Sequence, residues 1–118
     1  MKLGWLAALR NSRDGLAHGW TKERPVRQEI VVTGAGLLTA PLVASDPLHG
    51  IALVGVLLMM LIVELLNVAI EAICDLVSPE RNPMVKIAKD CGSAAVLLSI
   101  ILAGLVWFEA LWRLLMAA

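Results

Sequence analysis

The sequence predicts an all-α membrane protein, and its composition and the arrangement of its apolar residues support that prediction. Hydrophobic residues make up 59% of the 118 residues, and the mean hydropathy of +0.82 lies far above that of a soluble domain. The apolar residues are gathered into three runs whose lengths predict helices rather than strands. We therefore expect one membrane domain over residues 1–118, with three transmembrane helices and an N-terminal surface helix.

The first element is predicted to be an amphipathic surface helix over residues 1–27. Leu9, Leu16 and Trp20 recur at spacings of 7 and 4, which places them on one face of a helix. Charged residues lie between them, and tryptophan favours the membrane–water interface, so the helix is expected to lie in that interface. The segment lacks the continuous apolar core of a cleavable signal peptide.

The three predicted spans cover residues 28–45, 48–77 and 84–116. The apolar part of the first span runs only from Ile30 to Ala44, which is below the ~20 residues usually needed, so this span depends on its flanks. The third span carries small residues at spacings of 3, 4 and 4, which predicts close packing against another helix. These small residues are Gly92, Ala95, Ser99 and Ala103.

The last two spans are each preceded by a capping residue and a proline. Asp46 is expected to cap the second span, with Pro47 at its first helical position. Asn82 and Pro83 repeat the pattern at the end of the loop 78–83. These pairs predict where the two long helices begin.

The distribution of positive charge predicts the orientation of the chain. Six of the ten Lys and Arg lie in residues 1–29, three lie in 81–89, and the last is Arg113. Since cytoplasmic segments are enriched in these residues, the N-terminus and the loop 78–83 are predicted to be cytoplasmic, and residues 45–50 and the C-terminus to lie outside. A net charge of zero disfavours nucleic-acid binding.

Polar side chains interrupt the most apolar run of the chain. Glu64 is followed by Asn67, Glu71 and Asp75 at offsets of 3, 7 and 11, which places all four on one face of a helix. We call these four residues the acidic row. A charge near the centre of a membrane helix costs at least ~2.5 kcal/mol, so an aligned row indicates a functional site.

The residue types in and near the acidic row suit phosphoryl transfer. Carboxylates and an amide provide the oxygen ligands that Mg²⁺ prefers, Lys89 provides a positive charge for phosphates, and Glu64 could accept a proton. No Walker A motif and no glycine-rich kinase loop occurs. Intramembrane acids also serve as ion or proton sites in transporters, and the residues alone leave both interpretations open, beside a purely structural helix bundle. Because three helices cannot enclose a nucleotide and a second substrate, the site is expected to form between subunits.

Three sequence motifs carry a resemblance to a known family. ELLNVAIEAICD runs from Glu64 to Asp75, and AKDCGSAAV runs from Ala88 to Val96. Upstream, residues 15–29 read GLAHGWTKERPVRQE, which fits the pattern GLxxxWxxExxxRQE. Together the motifs resemble the small integral-membrane diacylglycerol kinases of Gram-negative bacteria, and the similarity extends from about residue 12 to about residue 112.

The resemblance implies an activity and an assembly. It implies a homotrimer of three-span subunits in the bacterial inner membrane, with the N-terminus cytoplasmic, the C-terminus periplasmic and active sites shared between neighbours. The implied reaction transfers the γ-phosphate of MgATP to diacylglycerol and forms phosphatidic acid, with Mg²⁺ as the metal cofactor. The Gram-positive branch of the superfamily phosphorylates undecaprenol instead; the GSAAV and RQE segments resemble the diacylglycerol branch more.

The resemblance also implies roles for single residues. Glu64 is expected to be the catalytic base, with Asn67 as its catalytic neighbour, and Glu23 and Glu71 are expected to hold the metal ion. The residues expected to contact ATP are Asn11, Glu23, Glu71, Glu80, Arg81, Asn82, Lys89 and Asp90. Those expected to lie near the lipid substrate are Glu64, Ser93 and Trp107.

Overall fold

The computed structural model describes residues 4–78 and 80–118, and these residues form four α-helices. The helices are α1 (Gly4–Lys22), α2 (Arg24–Val43), α3 (Pro47–Val77) and α4 (Pro83–Ala117). Residues 1–3 of the predicted surface helix and Pro79 of the predicted loop lie outside the described residues. The all-helical prediction is confirmed.

The helix boundaries follow the local capping signals. Glu23 has extended backbone and separates α1 from α2, so residues 24–27 belong to the second helix and not to the surface helix in which the sequence placed them. The Asp46 side chain accepts a hydrogen bond from the His49 backbone N–H at 2.8 Å and caps α3. The Asn82 side chain accepts one from the Met84 N–H at 2.9 Å and caps α4. Both predicted capping pairs are confirmed.

The core is formed where α3 packs between α2 and α4, and α1 packs against α2. One cluster of buried residues joins Ala40, Leu53 and Ala110, one from each of the three long helices. The Trp107 indole N–H donates a hydrogen bond to the Leu53 carbonyl at 3.0 Å and ties α4 to α3 at the same level. Small side chains on α2 and α4 let the helices approach the larger side chains of α3.

The predicted packing stripe on α4 is correct for three of its four small residues. Gly92, Ser99 and Ala103 are buried, whereas Ala95 is exposed, so its predicted place in the interface is wrong. At ~100° per residue, a step of three leaves a side chain ~60° away from Gly92, whereas steps of seven and eleven return to within ~20° of it. The spacing of 3 therefore carries Ala95 off the contact face.

Two of the helices, α3 and α4, are long and apolar enough to cross a membrane. Large apolar side chains point outward along them, as expected of a protein whose solvent is lipid. The helix α2 is not among these two candidates. It nevertheless exposes large apolar side chains, with Leu38 and Leu42 each 78% exposed. A third span therefore remains a prediction.

Candidate active site

A polar groove lies between α2, α3 and α4, with a volume of about 520 Å³. Three residues of the acidic row line it, and so do polar residues from the start of α2 and a serine of α4. The lining residues are Glu23, Pro25, Gln28, Glu29, Val32, Met60, Glu64, Asn67, Glu71, Ser93, Val96 and Ile100. Five of the residues that the sequence predicted for the site are thus brought together: Glu23, Glu64, Asn67, Glu71 and Ser93.

The acidic row becomes more exposed toward the C-terminal end of α3. Glu64 and Asn67 are buried at 6% and 8% exposure, whereas Glu71 and Asp75 are exposed. The Asn67 amide N–H donates to Glu71 Oε1 at 3.2 Å, which joins two neighbouring members of the row. The row therefore offers a buried carboxylate at its inner end and accessible carboxylates at its outer end.

Gly92 of α4 makes room for the Asn67 side chain. A Cβ atom placed on Gly92 would come closer to Asn67 Oδ1 than real Cβ atoms approach another heavy atom. The same Oδ1 atom is buried and has no hydrogen-bond partner among the described residues. A buried acceptor without a partner is costly, so this atom is suited to receive a donor from a ligand.

Glu29 is a groove residue to which the sequence assigned no role. Its side chain is 7% exposed, and Oε2 is buried with no hydrogen-bond partner among the described residues. It lines the groove together with Gln28 and Glu64. The signal that could have identified both Gln28 and Glu29 is the RQE segment, in which two polar residues directly precede an apolar span.

The two predicted metal ligands reach the groove from different parts of the chain. Glu23 stands at the start of α2 and Glu71 on α3, and both line the groove. Among residues 4–78 and 80–118, no three His, Cys, Asp or Glu side chains are close enough to hold a metal alone. Two carboxylates fit a Mg²⁺ ion that takes its remaining oxygen ligands from phosphates and water. His18 lies beside this site, with Nε2 3.7 Å from Glu23 Oε1.

Lys89 and Asp90, predicted to contact ATP, do not line the groove, and each is paired with another side chain. Lys89 Nζ lies 2.8 Å from Asp75 Oδ1, which joins α4 to the outer end of the acidic row. Asp90 Oδ2 lies 2.6 Å from Lys86 Nζ, one turn earlier on the same helix. The two neighbours in sequence thus point to different partners.

Four further residues that were predicted to contact ATP do not line the groove of their own chain. Asn11 is exposed on α1, and Glu80 and Arg81 are exposed in the segment between α3 and α4. Asn82 uses its side chain to cap α4. The structure does not bring these four residues together with Glu64 within one chain.

An apolar groove adjoins the polar one and shares Val32, Met60 and Ile100 with it. It has a volume of about 470 Å³ and reaches Trp107, which the sequence placed near the lipid substrate. Gly36 lines this groove, and a Cβ atom at that position would overlap a Leu57 methyl carbon. The two grooves together offer a polar end and an apolar end, an arrangement that fits an amphiphilic molecule.

Comparison with known proteins identifies the family. The model of the prokaryotic diacylglycerol kinase family matches residues 10–111. The chain belongs to this family. The diacylglycerol kinase of Escherichia coli (strain K12) is 38% identical over 98 residues, which are 83% of this chain and 80% of that protein. The diacylglycerol kinase of Helicobacter pylori (strain ATCC 700392 / 26695) is 35% identical over 100 residues, or 85% and 78% of the two chains.

A third relative has a higher identity to this chain over a shorter stretch. The diacylglycerol kinase of Pseudomonas aeruginosa (strain PAO1) is 51% identical over 55 residues, which cover 47% of this chain and 45% of that protein. The predicted family is thereby confirmed, and with it a membrane enzyme of the diacylglycerol kinase type. Family membership favours the kinase over the transporter and the structural bundle that the residues alone had left open.

Proposed function

We propose that this protein is a lipid kinase that transfers the γ-phosphate of MgATP to the primary hydroxyl of diacylglycerol and forms phosphatidic acid. The observation that carries the proposal is the joined pair of grooves, in which buried Glu64 and Asn67 lie at the polar end and Trp107 lines the apolar end. Diacylglycerol has the same division, with one hydroxyl at the end of two apolar chains. Family membership supports the proposal independently.

Glu64 is the proposed general base because it is the deepest carboxylate of the acidic row. The hydroxyl proton of the lipid passes to the Glu64 carboxylate as the hydroxyl oxygen bonds to the γ-phosphorus. The bond between the γ-phosphorus and its bridging oxygen breaks, and ADP leaves. Asn67 and Ser93, which line the same groove, orient the hydroxyl and the transferred group.

Glu23 and Glu71 are the proposed ligands of Mg²⁺. The ion would supply positive charge that neutralises the phosphate oxygens during transfer. Both carboxylates line the groove, and Glu71 accepts the Asn67 amide N–H, which orients one of its oxygens. Glu23 directly precedes α2 and Glu71 lies on α3, so the packing of α2 against α3 controls the separation of the two side chains.

The remaining nucleotide contacts are proposed to lie beyond the outer end of the row. Lys89 is held next to Asp75, one turn after Glu71, where phosphates that extend out of the groove would meet it. Asn11, Glu80, Arg81, Asn82 and Asp90 are exposed and do not line their own groove. We propose that they reach the nucleotide at the junction with a neighbouring subunit.

The assembly is proposed to be a homotrimer in the bacterial inner membrane, with the N-terminus cytoplasmic and the C-terminus periplasmic. Its support is the open groove with unpartnered buried atoms on Glu29 and Asn67, and the distribution of Lys and Arg along the chain. The exposed apolar side chains of α2 support a third span, because they would face either lipid or a neighbouring helix.

A direct transfer assay tests the proposal. The purified chain in detergent micelles receives ATP labelled at the γ-position, Mg²⁺, and either diacylglycerol or undecaprenol. We expect labelled phosphatidic acid from diacylglycerol and little product from undecaprenol. Product from undecaprenol alone would reassign the lipid substrate, and no product from either would refute the kinase function.

A further inference from the structure

Asp75 is the member of the acidic row to which the proposed reaction gives no part. It lies one turn, or ~6 Å along the helix axis, beyond Glu71 on the same face of α3. It does not line the polar groove. Its carboxylate instead accepts a hydrogen bond at 2.8 Å from the ammonium group of Lys89, which lies on the neighbouring helix α4.

The exposure of this pair indicates that it does little for the stability of the fold. The Asp75 and Lys89 side chains are 69% and 43% exposed. Ion pairs with such exposure are screened by water and contribute little to folding. The position of the pair is more informative about function, because the contact between Asp75 and Lys89 joins the outer end of the acidic row to α4.

The hydrogen-bonding capacity of Lys89 leaves room for a ligand. An ammonium group has three N–H donors, and Asp75 accepts one of them. The other two have no acceptor among the described residues. A lysine side chain that is free to rotate would need to be ordered when phosphates bind, whereas one held by a carboxylate is already in place.

We propose that Asp75 is a positioning residue that holds the Lys89 ammonium at the outer end of the acidic row and leaves two N–H donors directed to nucleotide phosphates. The inference rests on the proposed function, since it takes Lys89 to be a phosphate contact. It adds a residue that acts on the nucleotide through another side chain and does not touch the nucleotide itself.

The test measures the affinity of the full chain in detergent micelles for the Mg²⁺ complex of a non-hydrolysable ATP analogue, by titration calorimetry. We expect Asp75→Asn to weaken binding by about two- to fivefold, which corresponds to ~0.4–1 kcal/mol and is the range of an exposed ion pair. Asp75→Glu keeps the charge and should restore most of the affinity. In a Lys89→Gln background, Asp75→Asn should cause no further loss.

A matched control is available on α4. Glu109 and Arg113 form another half-exposed ion pair, near the other end of the helix. Glu109→Gln should leave nucleotide affinity unchanged, so a loss seen with both carboxylate variants would indicate a general structural effect and overturn the proposal.

The remaining outcomes separate this inference from the proposed function. If Lys89→Gln weakens binding but Asp75→Asn does not, or if Asp75→Asn tightens it, the positioning role is wrong and the kinase proposal stands. An equal loss from Asp75→Asn with and without Lys89 would also overturn the positioning role. If the unsubstituted chain neither binds the analogue nor transfers phosphate, the proposed function itself fails.

Discussion

At the scale of single residues, Glu64 is the side chain on which the proposed chemistry depends. It is a buried carboxylate at the inner end of the groove. Glu64→Gln keeps the size and hydrogen-bonding shape of the side chain but removes the base, so turnover should fall by on the order of 10²–10⁴-fold. The measurement is the transfer assay with diacylglycerol, and Glu109→Gln is the control that should keep full activity. Undiminished turnover in Glu64→Gln would show that another group accepts the proton.

Gly92 is the second residue on which the site depends, because its lack of a Cβ atom leaves room for the Asn67 side chain. In Gly92→Ala, the new Cβ would overlap Asn67 Oδ1, so the Asn67 side chain must move. A displacement of ~1 Å at a site of this kind can cost on the order of 10² in rate, and we expect turnover to fall by about that factor. Gly34→Ala on α2 is the control, since a Cβ there meets nothing within 4 Å and the residue lines neither groove. Equal activity of the two variants would contradict the packing argument.

At the scale of the helices, capping explains where α3 begins. The Asp46 carboxylate accepts hydrogen bonds from the His49 backbone N–H and the Ser45 hydroxyl, and the first of these is the main reason that the pKa of Asp46 lies below its ordinary value. The imidazole of His49 lies over the connection between α2 and α3, and its Nδ1 atom accepts a hydrogen bond from the Ser45 backbone N–H at 3.0 Å. The connection between α2 and α3 is thus closed by reciprocal side-chain bonds.

The cap predicts an acid-sensitive helix start. A carboxyl with a lowered folded-state pKa stabilises the fold above its unfolded-state pKa of ~3.9, and that contribution is lost as the pH falls through the folded-state value. Hydrogen-exchange protection of the first turn of α3 should therefore decrease when the pH is lowered from about 6 to about 2.5. Asp46→Asn keeps a capping oxygen but does not titrate in this range, so its protection should stay constant. The same decrease in both proteins would assign the effect to other groups.

At the scale of the whole molecule, the groove of one chain does not hold every residue that was predicted for the site. Glu64 lines the groove, whereas Asp90 is exposed, does not line it and is paired with Lys86. Buried oxygens of Glu29 and Asn67 lack partners among the described residues. These features favour a site to which two subunits contribute.

A mixing experiment tests whether sites are shared. Chains with Glu64→Gln and chains with Asp90→Asn are expected to be inactive alone, and mixed assemblies should regain activity, because some sites then receive both native residues from different subunits. Assemblies of Glu64→Gln chains with doubly substituted chains are the control and should stay inactive. No recovery in the first mixture would place both residues in one subunit. Transfer activity of co-purified, differently tagged chains is the measurement.

Much of this protein could be predicted from the sequence because the decisive signals are local. Asp46 and Asn82 satisfy free N–H groups within three residues of themselves, so their capping is independent of the rest of the fold. The acidic row needs only the helical period to share one face, and burying such groups in an apolar helix is costly enough to indicate a site. The family follows from three motifs that lie along the same chain.

Other features depend on how the helices rotate and cross, which periodicity does not specify. The pairing of Lys89 with Asp75 and the unpartnered oxygen of buried Glu29 both depend on the separation of the helices at one level. The close approach of Gly92 to Asn67 is a contact between two helices and is equally invisible in either segment alone. The amino-acid sequence was thus sufficient for the all-helical fold class and the family, and it singled out the acidic row as a candidate site. Only the packing of α2, α3 and α4 decided which of the predicted site residues line one groove. The reason is that side-chain contacts between helices depend on the rotation and separation of the helices, which the sequence of a single helix does not specify.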